Sequence, residues 1–163
     1  MPEKRTLQRA REDKREGKAA STQAGEFVRE EMHHIREGKH GARSPEQAIA
    51  IGLSKARRSG VNLAPPKKGE SSASTRENAK RALQHRGKKT STRRAKAVLG
   101  ALKHEGHSAA SKPALAKHAR AAAKQRTAAD RSAAARKAAR TKGPRVRSAA
   151  AQKAARTRAR MSA

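Results

Sequence analysis

The chain has 163 residues, and its 42 Lys and Arg against 13 Asp and Glu give a formal net charge of +29. With one Phe, neither Tyr nor Trp, no Cys and a hydrophobic content of 34%, disulfide staples and thiolate metal sites are excluded and a core along the whole chain is not expected. No apolar run approaches the roughly 18 residues of a membrane span and the N-terminal MPEKRTLQRARED lacks an apolar signal segment, so a cytoplasmic protein with no membrane partner is expected.

Residues 2–18 favour helix but carry one large apolar side chain, Leu7, so a solvated, frayed helix ending at Gly17 is expected. In residues 22–37, Thr22 offers an N-cap, and Ala24, Phe27, Val28, Met32 and Ile35 lie along one side of a helix that Gly38 stops. The strongest helix signal follows at Ser44 to Val61. Ser44 is a good N-cap, Pro45 suits the first helical position, and Gln47 completes a Ser-x-x-Gln capping box. Ala48, Ile49, Gly52, Leu53 and Ala56 share one face, Lys55, Arg57 and Arg58 suit the dipole of the last turn, and Gly60 ends the helix. The short KHGAR connection makes an antiparallel hairpin of the two helices the economical arrangement. Gly52 and Ala56, four apart, form a small flat patch through which the hairpin could also dimerise. The connection is too long, and a third amphipathic helix too weak, for a helix-turn-helix reader of DNA to be the preferred reading.

Pro65 and Pro66 open a linker over residues 64–74, after Asn62 and Leu63. Beyond it, Ser74 and Glu77 form a capping box ahead of Ala79, Ala82 and Leu83, with Gly87 as the stop; Thr92 to Glu105 carries Val98, Leu99 and Leu102 at helical spacing, a stripe that could dock on the hairpin. From His107 the chain is nearly binary, Ala against Lys and Arg. RSAAARKAART at Arg131 to Thr141 recurs as RSAAAQKAART at Arg147 to Thr157, with Gly143 and Pro144 breaking the helix between copies. Alanines cannot supply an inter-repeat core, so the repeat reads as duplicated low complexity. Cations distributed all round the helical axis argue against a membrane-surface helix, and their mutual repulsion is expected to oppose stable helix. The expected fold is therefore all-α: a small antiparallel helical hairpin at about residues 22–60 within an N-terminal region of residues 1–63, then the linker, then a basic, largely disordered or transiently helical tail over residues 75–163.

Charge is placed as unevenly as apolar side chains. Residues 1–63 hold fourteen basic and nine acidic groups, residues 64–163 twenty-eight and four, while nine of the eighteen Val, Ile, Leu, Met and Phe residues lie between Phe27 and Leu63. A polyanion with condensed counterions relieves such a tail's self-repulsion, which points to nucleic acid as partner. The candidate phosphate contacts are Lys88, Lys89, Arg93, Arg94, Lys96, Lys117, Arg120, Lys124, Arg126, Arg131, Arg136, Lys137, Arg140, Lys142, Arg145, Arg147, Lys153, Arg156, Arg158 and Arg160. Without aromatics to stack bases, duplex or structured nucleic acid is favoured over single strands, DNA ahead of RNA. The seven histidines lack paired metal-ligand spacing and read as surface groups, and Glu30, Glu31 and Glu37 lack a core to shift them, so neither catalysis, a metal nor a cofactor is expected.

The stretch FVREEMHHIREGKHGARSPEQAIAIGLSKARRSGV, with QAIAI at Gln47 to Ile51, resembles a family of small basic bacterial proteins, domain of unknown function 6496. That resemblance implies a bacterial source and brings no catalytic residues with it. The SKPALAKHARAAAK and KAART segments are similar in composition to the tails of linker histones and bacterial histone-like proteins, with more Arg and fewer Pro. The expected function is nonspecific coating or condensation of DNA in a nucleoid. An RNA or ribosome-associated protein and a disordered stress protectant are the alternatives, the second weakened by the scarcity of acid in the tail.

Overall fold

Ser44 caps the start of a helix, and the cap is built as its residue types demand. In the computed structural model, which describes residues 2–88 and 91–161 (apart from the side chains of 141 and 142), Ser44 Oγ accepts from Gln47 N at 3.3 Å. Gln47 Oε1 in turn accepts from Arg43 N at 2.7 Å. Seven α-helices are described: α1 (Lys4–Arg15), α2 (Ala20–Arg36), α3 (Pro45–Arg58), α4 (Ala73–Gln84), α5 (Thr92–Lys103), α6 (Lys112–Lys124) and α7 (Ala128–Met161). A 3-10 turn at Ser108–Ala110 precedes α6, and no strand is present among the described residues. Gly17, Gly38, Gly60 and Gly87 take positive φ where α1 to α4 end, the backbone region that L side chains avoid.

Two small apolar clusters hold α2 and α3 together. Met32, Ile35, Ala42 and Ala48 form one, with Val28 and Ile49 against it; Ala10, Ala24, Phe27, Ala56 and Val61 form the other, with Leu7, Leu53 and Leu63. Residue numbers rise along α3 from Ala48 to Ala56 as they fall along α2 from Met32 to Ala24, so the pair is antiparallel. At its middle the helices nearly touch: a Cβ on Gly52 would lie 2.7 Å from Val28 Cα.

The pair is not alone, and here the expected architecture is corrected. The chain is not a small hairpin with a long disordered tail; it is helical from α1 to α7. Residues Met1–His118 form one compact unit and Ala119–Ala163 a second, so the division falls inside α6 and not at residues 64–74. α1 packs on α2. It buries Thr6, Ala10 and Asp13 instead of large apolar groups, and the Glu3 amide donates to both oxygens of the buried Glu30 at 3.2 Å. α4 packs on α3 with Ala79 and Ala82 buried. Its N-cap is Ser72, whose Oγ accepts from Thr75 N at 3.1 Å, not Ser74. α2 likewise starts ahead of Thr22, after Ala19. The 3-10 turn sets Ala109 and Ala110 into the first cluster, and Arg36 Nε donates to Ala110 O at 2.9 Å. α5 docks by its end alone: Leu102 is buried and its carbonyl accepts from Gly41 N at 2.8 Å, while Val98 and Leu99 stay exposed.

In the second unit α7 is helical to either side of Gly143, where φ 67° and ψ 167° interrupt it before Pro144. Alanine, Arg and Lys are all strong helix formers, whereas like-charge pairs at the surface cost only a few tenths of a kcal/mol each in screening solvent, so propensity wins. Its start is fixed by a reciprocal cap. Thr127 Oγ1 accepts from Asp130 N at 3.1 Å, and Asp130 Oδ2 accepts from Thr127 N at 3.2 Å.

Candidate nucleic-acid interface

Within α7 no described side chain is buried. Its 34 residues carry eleven Lys and Arg and one acid, Asp130. At about 100° per residue, Arg131, Arg136 and Lys137 point roughly 0°, 140° and 240° around the axis, so positive charge faces every side. The rise of about 1.5 Å per residue gives about one net positive charge per 5 Å of helix, against a duplex phosphate every 1.7 Å of its axis. Asp130 is held at the helix N-terminus by Thr127, whose hydrogen bonds keep its carboxyl below the usual range; negative charge there suits the dipole and opposes little of the cationic surface.

The candidate cations are distributed over several elements. Lys88 follows α4; Arg93, Arg94 and Lys96 stand on α5; Lys117, Arg120 and Lys124 on α6; Arg126 in the connection after it; Arg131, Arg136, Lys137, Arg140, Arg145, Arg147, Lys153, Arg156, Arg158 and Arg160 on α7. All of these are exposed. Lys89 lies outside the described residues, as does the side chain of Lys142. Lys88 to Lys117 belong to the first unit and Arg120 onward to the second. Arg57 is different in kind: it is buried, its Nε and Nη2 donate to Leu63 O at 3.0 Å and Ala64 O at 3.2 Å, and burial lowers its pKa, so it fastens the chain after α3.

Of the structural residues named from the sequence, Phe27, Met32 and Ile35 are buried, and Val28, Ile49 and Leu53 are half-buried against the clusters. Ser44 and Gln47 cap α3, and Gly60 has φ 101°. The Gly52 and Ala56 patch faces into its own chain, Gly52 against Val28 and Ala56 fully enclosed, so it is not free to make the homodimer considered above.

Sequence reasoning missed a polar cluster inside the first unit. Glu31 on α2 is fully buried; Lys55 Nζ donates to its Oε1, and its Oε2 has no hydrogen-bond partner. His40, also buried, places Nε2 3.4 Å from that oxygen. His34 completes the group, and one ligand-type atom from each of the three lies within 4.8 Å of the others. The histidines are therefore not all surface groups. The available signal was Glu31-x-x-His34, a spacing that puts both on one helix face, with His40 brought back by the turn at Gly38. His118, by contrast, pairs at the surface with Glu46 at 2.7 Å.

No family model, curated protein or solved structure matches the chain. No described helix is long and apolar enough to cross a membrane. In the QAIAI stretch, Gln47 caps α3, Ala48 is enclosed and Ile49 packs on the first cluster, so those residues have structural work in this fold.

Proposed function

We propose that the protein binds duplex nucleic acid without sequence preference, DNA ahead of RNA, and coats or bridges it in a bacterial nucleoid. The observation that carries this reading is α7: an exposed helix with cations on every side and its single acid engaged at one end. Phosphate binding needs charge density, which such a helix supplies; base reading needs a defined face, which it lacks. The same absence of an apolar face disfavours a lipid surface, where one side must enter the acyl boundary. The first unit supplies the packed core that α7 lacks.

The full chain and a variant with Arg136, Arg140, Arg156 and Arg160 replaced by Gln are titrated against a fluorescent duplex at several salt concentrations. Glutamine keeps helix propensity close to that of arginine. Contact with six to ten phosphates predicts a loss of about 10³ to 10⁵ in affinity between 50 and 200 mM salt, and each contact removed lowers the salt slope by about 0.9. A shallow slope, or a variant that binds as the parent does, refutes the proposal; tighter binding to a matched RNA duplex moves the target to RNA.

A further inference from the structure

A buried carboxylate requires a donor or a cation at each oxygen, and Glu31 has one at Oε1 only. The atom opposite its Oε2 is itself informative. His40 Nδ1 stands 3.0 Å from the carbonyl oxygen of Gly41, which can only accept, so Nδ1 bears the hydrogen. In the neutral ring Nε2 then offers a lone pair, and two acceptors face each other at 3.4 Å. A direct charge-assisted hydrogen bond would be shorter, at about 2.7 to 2.9 Å. Two ligand atoms each about 2.0 to 2.1 Å from one tetrahedral ion stand about 3.3 to 3.4 Å apart.

We propose that Glu31 Oε2, His40 Nε2 and a ring nitrogen of His34 bind a divalent transition-metal ion of the zinc class. Two imidazoles and one carboxylate suit such an ion better than magnesium or calcium, which take oxygen ligands. Each ligand is oriented from behind: Glu31 by Lys55, His40 by the Gly41 carbonyl, and His34 by Glu3, whose Oε1 lies 2.8 Å from its Nε2. His34 also lines an open cleft of about 480 Å³ between α1 and α2, which gives an ion a route from solvent. The ion pins the 38–44 connection to α2. That connection receives α5 and the turn after it, since Gly41 N donates to Leu102 O and Ala42 N to Gly106 O. The site is a structural fastening of the first unit and is independent of the cations that bind phosphate.

The full chain, stripped with chelator, is melted with and without Zn²⁺ and titrated with Co²⁺ by visible absorption. One equivalent of Zn²⁺ is expected to raise Tm by several degrees, and Co²⁺ to develop ligand-field bands that saturate at one equivalent. His34→Gln and His40→Gln should each weaken metal affinity roughly tenfold or more. A His85→Gln variant, whose exposed ring hydrogen-bonds Arg81 O at the end of α4, should bind as the parent does. His34 is only partly buried, so its variant decides the matter if His40→Gln does not fold, folding being checked by circular dichroism in chelator. An unchanged Tm in the parent, or saturation at one equivalent that survives His34→Gln, overturns the proposal.

Discussion

Replacing Gly52 with alanine places a Cβ 2.7 Å from Val28 Cα, 2.9 Å from Val28 N and 3.0 Å from Val28 Cγ2. Two of these atoms are helix backbone, which has no rotamer through which to move aside. Carrying the closest contact out to the roughly 3.5 Å at which carbon atoms attract parts α2 from α3 by about 0.8 Å, and a gap of 0.5 to 1 Å forfeits a quarter to a half of each dispersion contact. Both clusters feel it, because Ile49 packs against one and Leu53 against the other. Overpacking of this kind costs about 1 to 3 kcal/mol, while alanine returns about 1 kcal/mol of helix propensity. The expected net loss is up to about 2 kcal/mol, read as a lower urea midpoint at unchanged slope. Gly25→Ala is the matched comparison: it sits in α2, exposed, with nothing within 4 Å of the new Cβ, so it should stabilise by up to about 1 kcal/mol. If Gly52→Ala proves as stable as Gly25→Ala, the two helices do not approach as described.

Gly41→Ala should do more damage, since its Cβ would fall 1.9 Å from Glu105 O and 2.7 Å from Gly106 O; amide exchange in residues 102–110 should accelerate to the rate of global opening, and unchanged protection there would refute the docking of this segment. Stability should also fall in acid. Hydrogen bonds from His34, from Lys39 and from the Glu46 backbone amide, Ser44 and His118 lower the carboxyl pKa values of Glu3, Glu37 and Glu46 respectively. The unfolded chain therefore binds more protons, so their contribution is present above the ordinary glutamate pKa of about 4.3 and is lost as pH falls through the depressed values. In metal-free buffer Tm should decline below about pH 4, and Glu46→Gln should flatten that limb; a Tm that rises on acidification would contradict these pairings.

Local signals were the readable ones. The α3 cap is settled by Ser44, Pro45 and Gln47 within one turn, and the glycine stops need only the φ that L residues avoid. The α2 and α3 stripes were readable because Phe27, Met32 and Ile35 are large enough to mark a face. Ala109 and Ala110 are as enclosed as Ile35, yet alanine beside Lys and Arg looks no different in a core than in a solvated helix. α1 escaped notice for the same reason, burying Thr6, Ala10 and Asp13 under one large apolar side chain. His40 depends on placement across a turn, and its meeting with Glu31 is visible only once α2 and the 38–44 connection are folded together. The cations were readable as exposed but not as helical, because repulsion was weighed above the propensity of the residues that separate them.

The break at Gly143 divides two nearly identical eleven-residue copies within a helix none of whose described side chains is buried. Copying a core helix adds volume that its neighbours must absorb; copying a stretch of α7 such as Arg147 to Thr157 adds only exposed side chains. Number of copies is thereby uncoupled from core packing. Inheritance can lengthen or shorten this part of the chain and change the dose of charge it delivers while the architecture that carries it stays the same.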